Sequence, residues 1–196
     1  MRHIFSVMIL LLAVLTMTAC GSESVSTAGK AENATTGGKP TMNDGSLSLT
    51  SSAFAEGGGI PDKNTYMLSG QCSGQNISPR LIWSGAPAGT KSFAITMIDL
   101  DAKNWVHWVQ YDIPADATEL PEASGGPTIG TRGKNEFGET GYAGPCPPTG
   151  THLYVITIYA VDTVLSQPAG ATMPTIIDAI DGHILGKAQL KGTRTN

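Results

Sequence analysis

The sequence predicts a mainly β fold carrying one helix near its C-terminus, and three observations predict it. The 24 Gly and 12 Pro of the 196-residue chain punctuate short apolar runs, the usual spacing of strands between turns. Runs such as Lys91–Ile98 alternate with period two, Phe93, Ile95 and Met97 against Ala94, Thr96 and Ile98. Helical spacing is confined to one late stretch, Ile176, Ile177, Ile180, Ile184 and Leu185.

Residues 1–19 read as a signal peptide: Arg2 and His3 precede an apolar run, Ile4 to Leu15, which falls short of the roughly 20 residues of a membrane span. Small residues then lead to Cys20, as in a bacterial lipobox, with Met17 where leucine is usual. That likeness implies cleavage before Cys20 and lipid on its sulfur and amine. The expected location is the bacterial cell envelope, with the outer membrane favoured because Gly21 stands where an inner-membrane retention Asp would be. Residues 20–45, rich in Ser, Thr, Gly and Ala, read as a flexible tether of roughly 25–30 Å root-mean-square span.

Residues 46–196 read as one domain, a normal size for a single core. Strands are expected near Leu47–Ser51, Leu81–Trp83, Lys91–Ile98, Val106–Ile113 and His152–Asp162. The last is apolar on both faces and is placed centrally in its sheet. The helix is expected to open at Met173-Pro174 behind an N-cap Thr172, to carry His183 as an ordinary helix residue, and to end before Gly192. Net charge is -4 with 14% charged residues, so nothing marks a nucleic-acid footprint. With Cys20 lipidated, Cys72 and Cys146 form an even pair in an oxidising setting. A bond between them closes a loop of about 75 residues, worth roughly 4 kcal/mol in the chain-entropy model; two free, packed thiols are the alternative.

Two stretches carry chemistry. Asp99 and Asp101 follow a strand at spacing i, i+2, which puts both carboxylates on one face of an extended chain. Trp105, His107 and Trp108 open the next strand, so acids at a strand terminus meet a histidine flanked by indoles. Residues 141–154 bring a rigid loop with Gly144, Pro145, Cys146, Pro147 and Pro148, followed by His152 and Tyr154 on one face of a strand.

Taken in order, Ile60-Pro61, Cys72-Ser73-Gly74-Gln75-Asn76-Ile77-Ser78-Pro79, Trp83, Asp99-x-Asp101, Val106-His107-Trp108, Gly144-Pro145-Cys146-Pro147-Pro148 and His152-x-Tyr154 resemble the phosphatidylethanolamine-binding protein family. The bacterial branch concerned is the one called Raf-kinase-inhibitor-like. The resemblance implies a β-sandwich core with a C-terminal helix. It also implies an anion pocket for phosphate or phosphoethanolamine-like ligands, lined by Asp99, Asp101, Trp105, His107, Gly144, Pro145, Cys146, Pro147, His152 and Tyr154, with no cofactor and no metal. Two departures stand out. The family's Asp-Pro-Asp-Ala-Pro is Asp99-Leu100-Asp101-Ala102-Lys103 here, without either proline, and the Arg usual between the late His and Tyr is Leu153.

Two aspartates beside a phosphate repel it, so either a proton is shared with the anion or one Asp orients a histidine. Anion affinity is therefore expected to rise as pH falls through about 6–7. Two other readings follow from the same residues. Two His and two Asp are a zinc or iron donor set, although no H-E-x-x-H pair, G-x-S-x-G elbow or Walker loop is present and no nucleophile stands out, so no enzyme is expected. The family name instead suggests an inhibitor of a protein partner, which for a lipid-anchored protein is an envelope protein.

Overall fold

The computed structural model describes residues 46–123 and 125–196; the leader, Cys20 and tether expected over 1–45 lie outside them. Among the described residues the chain lays down β1 (Ser48–Ser51), β2 (Gly58–Gly59), β3 (Met67–Leu68), β4 (Cys72–Ser73), β5 (Leu81–Ser84) and β6 (Ser92–Asp99). It continues with β7 (Trp105–Pro114), β8 (Glu119–Leu120), β9 (Thr131–Arg132), β10 (Thr151–Val161), α1 (Met173–Ile180) and β11 (Ile184–Thr195).

The long strands build a six-stranded sheet in the order β2-β11-β10-β6-β7-β9, antiparallel except where β2 meets β11. β1, β5 and β8 form a second, three-stranded sheet. The main core lies between them. Leu49, Leu81, Trp83 and Leu120 of the small sheet pack with Phe93, Ile95, Met97, Trp108, Ile156 and Ile158 of the large one. Period two sends the other side chains of β6, β7 and β10 to the opposite face, where Ala94, Val109, Tyr111 and Val161 pack under Ile176 and Ile180 of α1. β10 is thus covered on both faces, which is why its sequence shows so little polarity.

The helix corrects the expectation from sequence. It stops at Ile180, and Ile184 and Leu185, read as its last turn, begin β11. Gly182 adopts a φ of +77°, a left-handed conformation that ends helices, and from Ile184 onward the backbone pairs with β10 along its whole length. His183 sits in the turn, with Nδ1 2.7 Å from Asp162 Oδ1. Gly192 lies inside β11, where a Cβ would come within 2.6 Å of Phe54 and 2.8 Å of Ile60. Thr172 does occupy the N-cap, but its hydroxyl meets Thr175 Oγ1 at 3.0 Å rather than a backbone N–H.

Candidate functional site

Where β6 ends, β7 and β10 begin. Strand register therefore sets Trp105, Asp99 and Tyr154 in one row across three adjacent strands, with His152 two residues before Tyr154 on the same face. His107 reaches this end of the sheet by another device. Met97 pairs with Trp108 and Ile98 with Val106, so His107 is the extra residue of a bulge, the irregularity that re-aims a side chain out of simple alternation.

Asp99 is nearly buried, its side chain 4% exposed, and both of its oxygens are engaged. Oδ1 accepts the N–H groups of Asp101 (2.9 Å) and Ala102 (3.1 Å); Oδ2 lies 2.7 Å from His152 Nδ1. A carboxylate accepts, so Nδ1 carries the proton and Nε2 is left for the cavity. Asp101 does not join the cavity. It sits in the turn, and its Oδ2 accepts the Leu153 N–H at 2.7 Å, tying the turn to β10.

These side-chain bonds fix the turn that has no prolines. Its tip is a type I′ turn, in which Trp105 N–H donates to Ala102 O at 3.1 Å and Lys103 and Asn104 hold φ of 56° and 62°. Lysine is poorly suited to that conformation, whereas Asn-Gly is the favoured pair. Lys103→Asn combined with Asn104→Gly is expected to stabilise the protein by about 1 kcal/mol, read as a higher denaturant midpoint at unchanged m.

His107 is buried and clamped to Ala143 in both directions. Its Nδ1–H donates to Ala143 O at 2.8 Å, and Ala143 N–H donates to His107 O at 2.8 Å. Nε2 is again the nitrogen left over. Burial pushes the His107 pKa below the usual imidazole value, against the opposing pull of the Ala143 and Gly144 backbone and of the Asp99 and Glu136 charges. The loop after Ala143 is held from outside. Gly144 N–H donates to Asn76 Oδ1 at 2.8 Å, Tyr66 N–H donates to Pro145 O at 3.0 Å, and a disulfide joins Cys146 to Cys72 of β4. A Cβ on Gly144 would lie 2.3 Å from Asn64 O, so only glycine fits there. The loop amides are thus not a ready set of donors: Gly144 is engaged, and within 145–148 only Cys146 has an N–H at all.

These elements enclose a cavity of about 160 Å³, lined by Asp99, Ala102, Trp105, His107, Phe137, Cys146, Pro147, Pro148, His152 and Tyr154. That equals the space of about five waters and falls well below the range for drug-sized ligands. Of the residues singled out in the sequence, Asp99, Trp105, His107, Cys146, Pro147, His152 and Tyr154 come together, while Asp101, Gly144 and Pro145 stand behind the wall and hold it. The lining contains neither Lys nor Arg. The Tyr154 hydroxyl is buried without a hydrogen-bond partner of good geometry, although burial and the nearby Asp99 keep it protonated far above the usual tyrosine range. An unsatisfied buried hydroxyl costs about 1–3 kcal/mol, which a ligand oxygen can offset. No group of three or more His, Cys, Asp or Glu able to hold a metal occurs among the described residues.

Phe137 is the residue that sequence reading missed. Its ring packs 5.4 Å from His107, 5.8 Å from Trp105 and 4.7 Å from Tyr66, centroid to centroid. An Asx turn presents it, with Asn135 Oδ1 accepting from Phe137 N and Glu139 N. Glu136 fastens the same loop to β7 through Val106 N–H, 2.5 Å from Oε2. The traces in sequence are Asn135 two residues before Phe137 and Gly138 immediately after it, with φ of +86°.

Comparison with known proteins adds sequence and fold likeness to this geometry. A family model described as "Phosphatidylethanolamine-binding protein" matches residues 50–195. A UPF0098 protein of Methanothermobacter thermautotrophicus is 43% identical over 152 residues, 74% of this chain and 97% of its own length. Among solved structures, YbcL of Escherichia coli superposes with a TM-score of 0.71 at 31% identity, covering 76% of this chain and 98% of its own. A phosphatidylethanolamine-binding protein homolog from Chlamydia trachomatis gives 0.70 at 36%, covering 78% and 99%.

Proposed function

The chain belongs to the phosphatidylethanolamine-binding protein family, and from that premise we propose that its cavity binds a small oxyanion, inorganic phosphate or the phosphate of a phosphoethanolamine-like ligand. The observation that carries the reading is the convergence of two imidazoles, each with Nδ1 already committed, and an unsatisfied tyrosine hydroxyl on one small cavity. Trp105, Phe137, Pro147 and Pro148 supply an apolar wall beside these polar groups.

The sign of the pH dependence follows from the committed Nδ1 protons. Neither Nε2 can donate to an anion unless one more proton enters, on the ring or on the ligand. Burial holds His107 below its usual pKa, so the free site is short of that proton at neutral pH. The complex therefore contains more protons than its separated parts, and affinity climbs as pH falls towards and below about 6.5. Calorimetric titrations with phosphate and phosphoethanolamine at stepped pH, on residues 46–196 and on the His107→Ala form, test this. The expected result is saturable binding that tightens on acidification and is lost in the variant. Affinity that grows as pH rises would contradict it.

For the whole chain we propose a lipid-anchored envelope protein. The support is the residue pattern of 1–20, with Cys20 as the lipidated residue and residues 21–45 as the tether. No helix among the described residues is long and apolar enough to cross a membrane. Mass spectrometry of the membrane fraction decides the point: a diacylglyceryl adduct on Cys20 supports the anchor, and an unmodified mature N-terminus elsewhere excludes it.

A further inference from the structure

We propose that the site selects oxyanions that arrive with a hydrogen of their own, phosphate and phosphomonoesters, over sulfate and over phosphodiesters. The inference rests on the anion-binding reading and narrows it to a ligand class. Both ring nitrogens that the site spends on its own architecture are donors: His107 Nδ1–H donates to Ala143 O and His152 Nδ1–H donates to Asp99 Oδ2. What each ring turns to the cavity is an Nε2 lone pair. A ligand oxygen bearing no hydrogen would set lone pair against lone pair, and an O–H on the ligand turns that clash into a hydrogen bond.

Charge points the same way. The groups that face His107 are Asp99, Glu136, the Tyr154 ring and the Phe137 ring, so its charged neighbours are acidic. The lining holds no Lys or Arg to neutralise a dianion. A hydrogen retained on the ligand removes one of its two charges and so halves its repulsion by Asp99. The Tyr154 hydroxyl then serves as donor to one of the remaining oxygens. A phosphodiester, like the headgroup phosphate of an intact phospholipid, has no ionisable hydrogen to offer, and neither does sulfate.

The test uses four probes at about pH 6.5: inorganic phosphate, sulfate, phosphoethanolamine, and glycerophosphoethanolamine, which has the same amine on a diester. Phosphate and phosphoethanolamine are expected to bind about tenfold or more tighter than sulfate and the diester, the worth of one charge-assisted hydrogen bond. Above the monoester's second pKa, about 6, phosphoethanolamine affinity is expected to fall about tenfold per pH unit. Calorimetry in buffers of different ionisation enthalpy then reads about one proton taken up per phosphoethanolamine bound at pH 8. This readout needs no variant and survives a His107 substitution that fails to fold. Equal affinity for phosphate and sulfate, or for monoester and diester, overturns the inference and leaves an anion site that takes its proton from solvent. No binding of any probe overturns the anion-binding reading itself.

Discussion

Asp99→Ala is expected to lower stability by about 3–5 kcal/mol and to eliminate anion binding at the same time. Its carboxylate accepts from the backbone of Asp101 and Ala102 and from His152 Nδ1, all within 3.1 Å. Deleting it leaves those donors without a partner in a nearly closed setting, releases the turn between β6 and β7, and frees the His152 ring to rotate. Asp99→Asn separates the two roles. An amide oxygen can still cap the two N–H groups, while the amide in place of the carboxylate weakens the hold on the imidazole, so stability falls less than binding. Chemical denaturation of the two variants beside phosphate titration measures both quantities. An Asp99→Ala protein within about 1 kcal/mol of the parent contradicts this account.

The second large effect concerns the disulfide. Cys72 and Cys146 are 74 residues apart in sequence, and replacing both with Ser is expected to cost about 4 kcal/mol through the regained freedom of the unfolded chain. Anion affinity falls as well. Cys146 lines the cavity, and besides the disulfide the loop is tied to the neighbouring hairpin region by the Tyr66 N–H to Pro145 O and Gln71 Nε2 to Cys146 O bonds. Denaturant midpoints of the oxidised parent and the double variant give the first figure. A difference below about 1 kcal/mol would mean that the reduced, unfolded chain is already constrained near these residues.

The parts of this molecule that were legible in sequence are those where one physical signal dominates. β6 and β10 are long, apolar and packed on both faces, so their positions, and the central placement of β10, could be read directly. β11 could not be. Most of its side chains are at least partly exposed, its pattern carries little apolar signal, and Ile184 and Leu185 continue the spacing of α1 across Gly182. Pairing with β10, a contact far stronger than any local propensity, decides its conformation. The two-residue strands β2, β3, β4, β8 and β9 are too short to show any period.

At the site, Asp99, His152 and Tyr154 were legible because chain alternation and strand ends place them. His107 was singled out by its indole neighbours and by the family resemblance, although the bulge that carries it to the cavity is announced by no residue pattern, and Asp101 was drawn to the cavity by a spacing rule that holds only while the chain stays extended. Phe137 comes from a polar loop brought in by hydrogen bonds to Asn135 and Glu136, contacts that exist only once β7 is in place.

In the proposed complex His107 and His152 together face one anion. Proton–nitrogen NMR of the imidazoles during a phosphate titration addresses it most directly. His183 serves as the internal control, because its Asp162 partner lies just beyond the far end of β10, about 30 Å of strand away from His152. The Nε2 signals of His107 and His152 are expected to move together along one saturable curve while those of His183 stay fixed. Static signals at His107 and His152, or equal drift at all three, would contradict it.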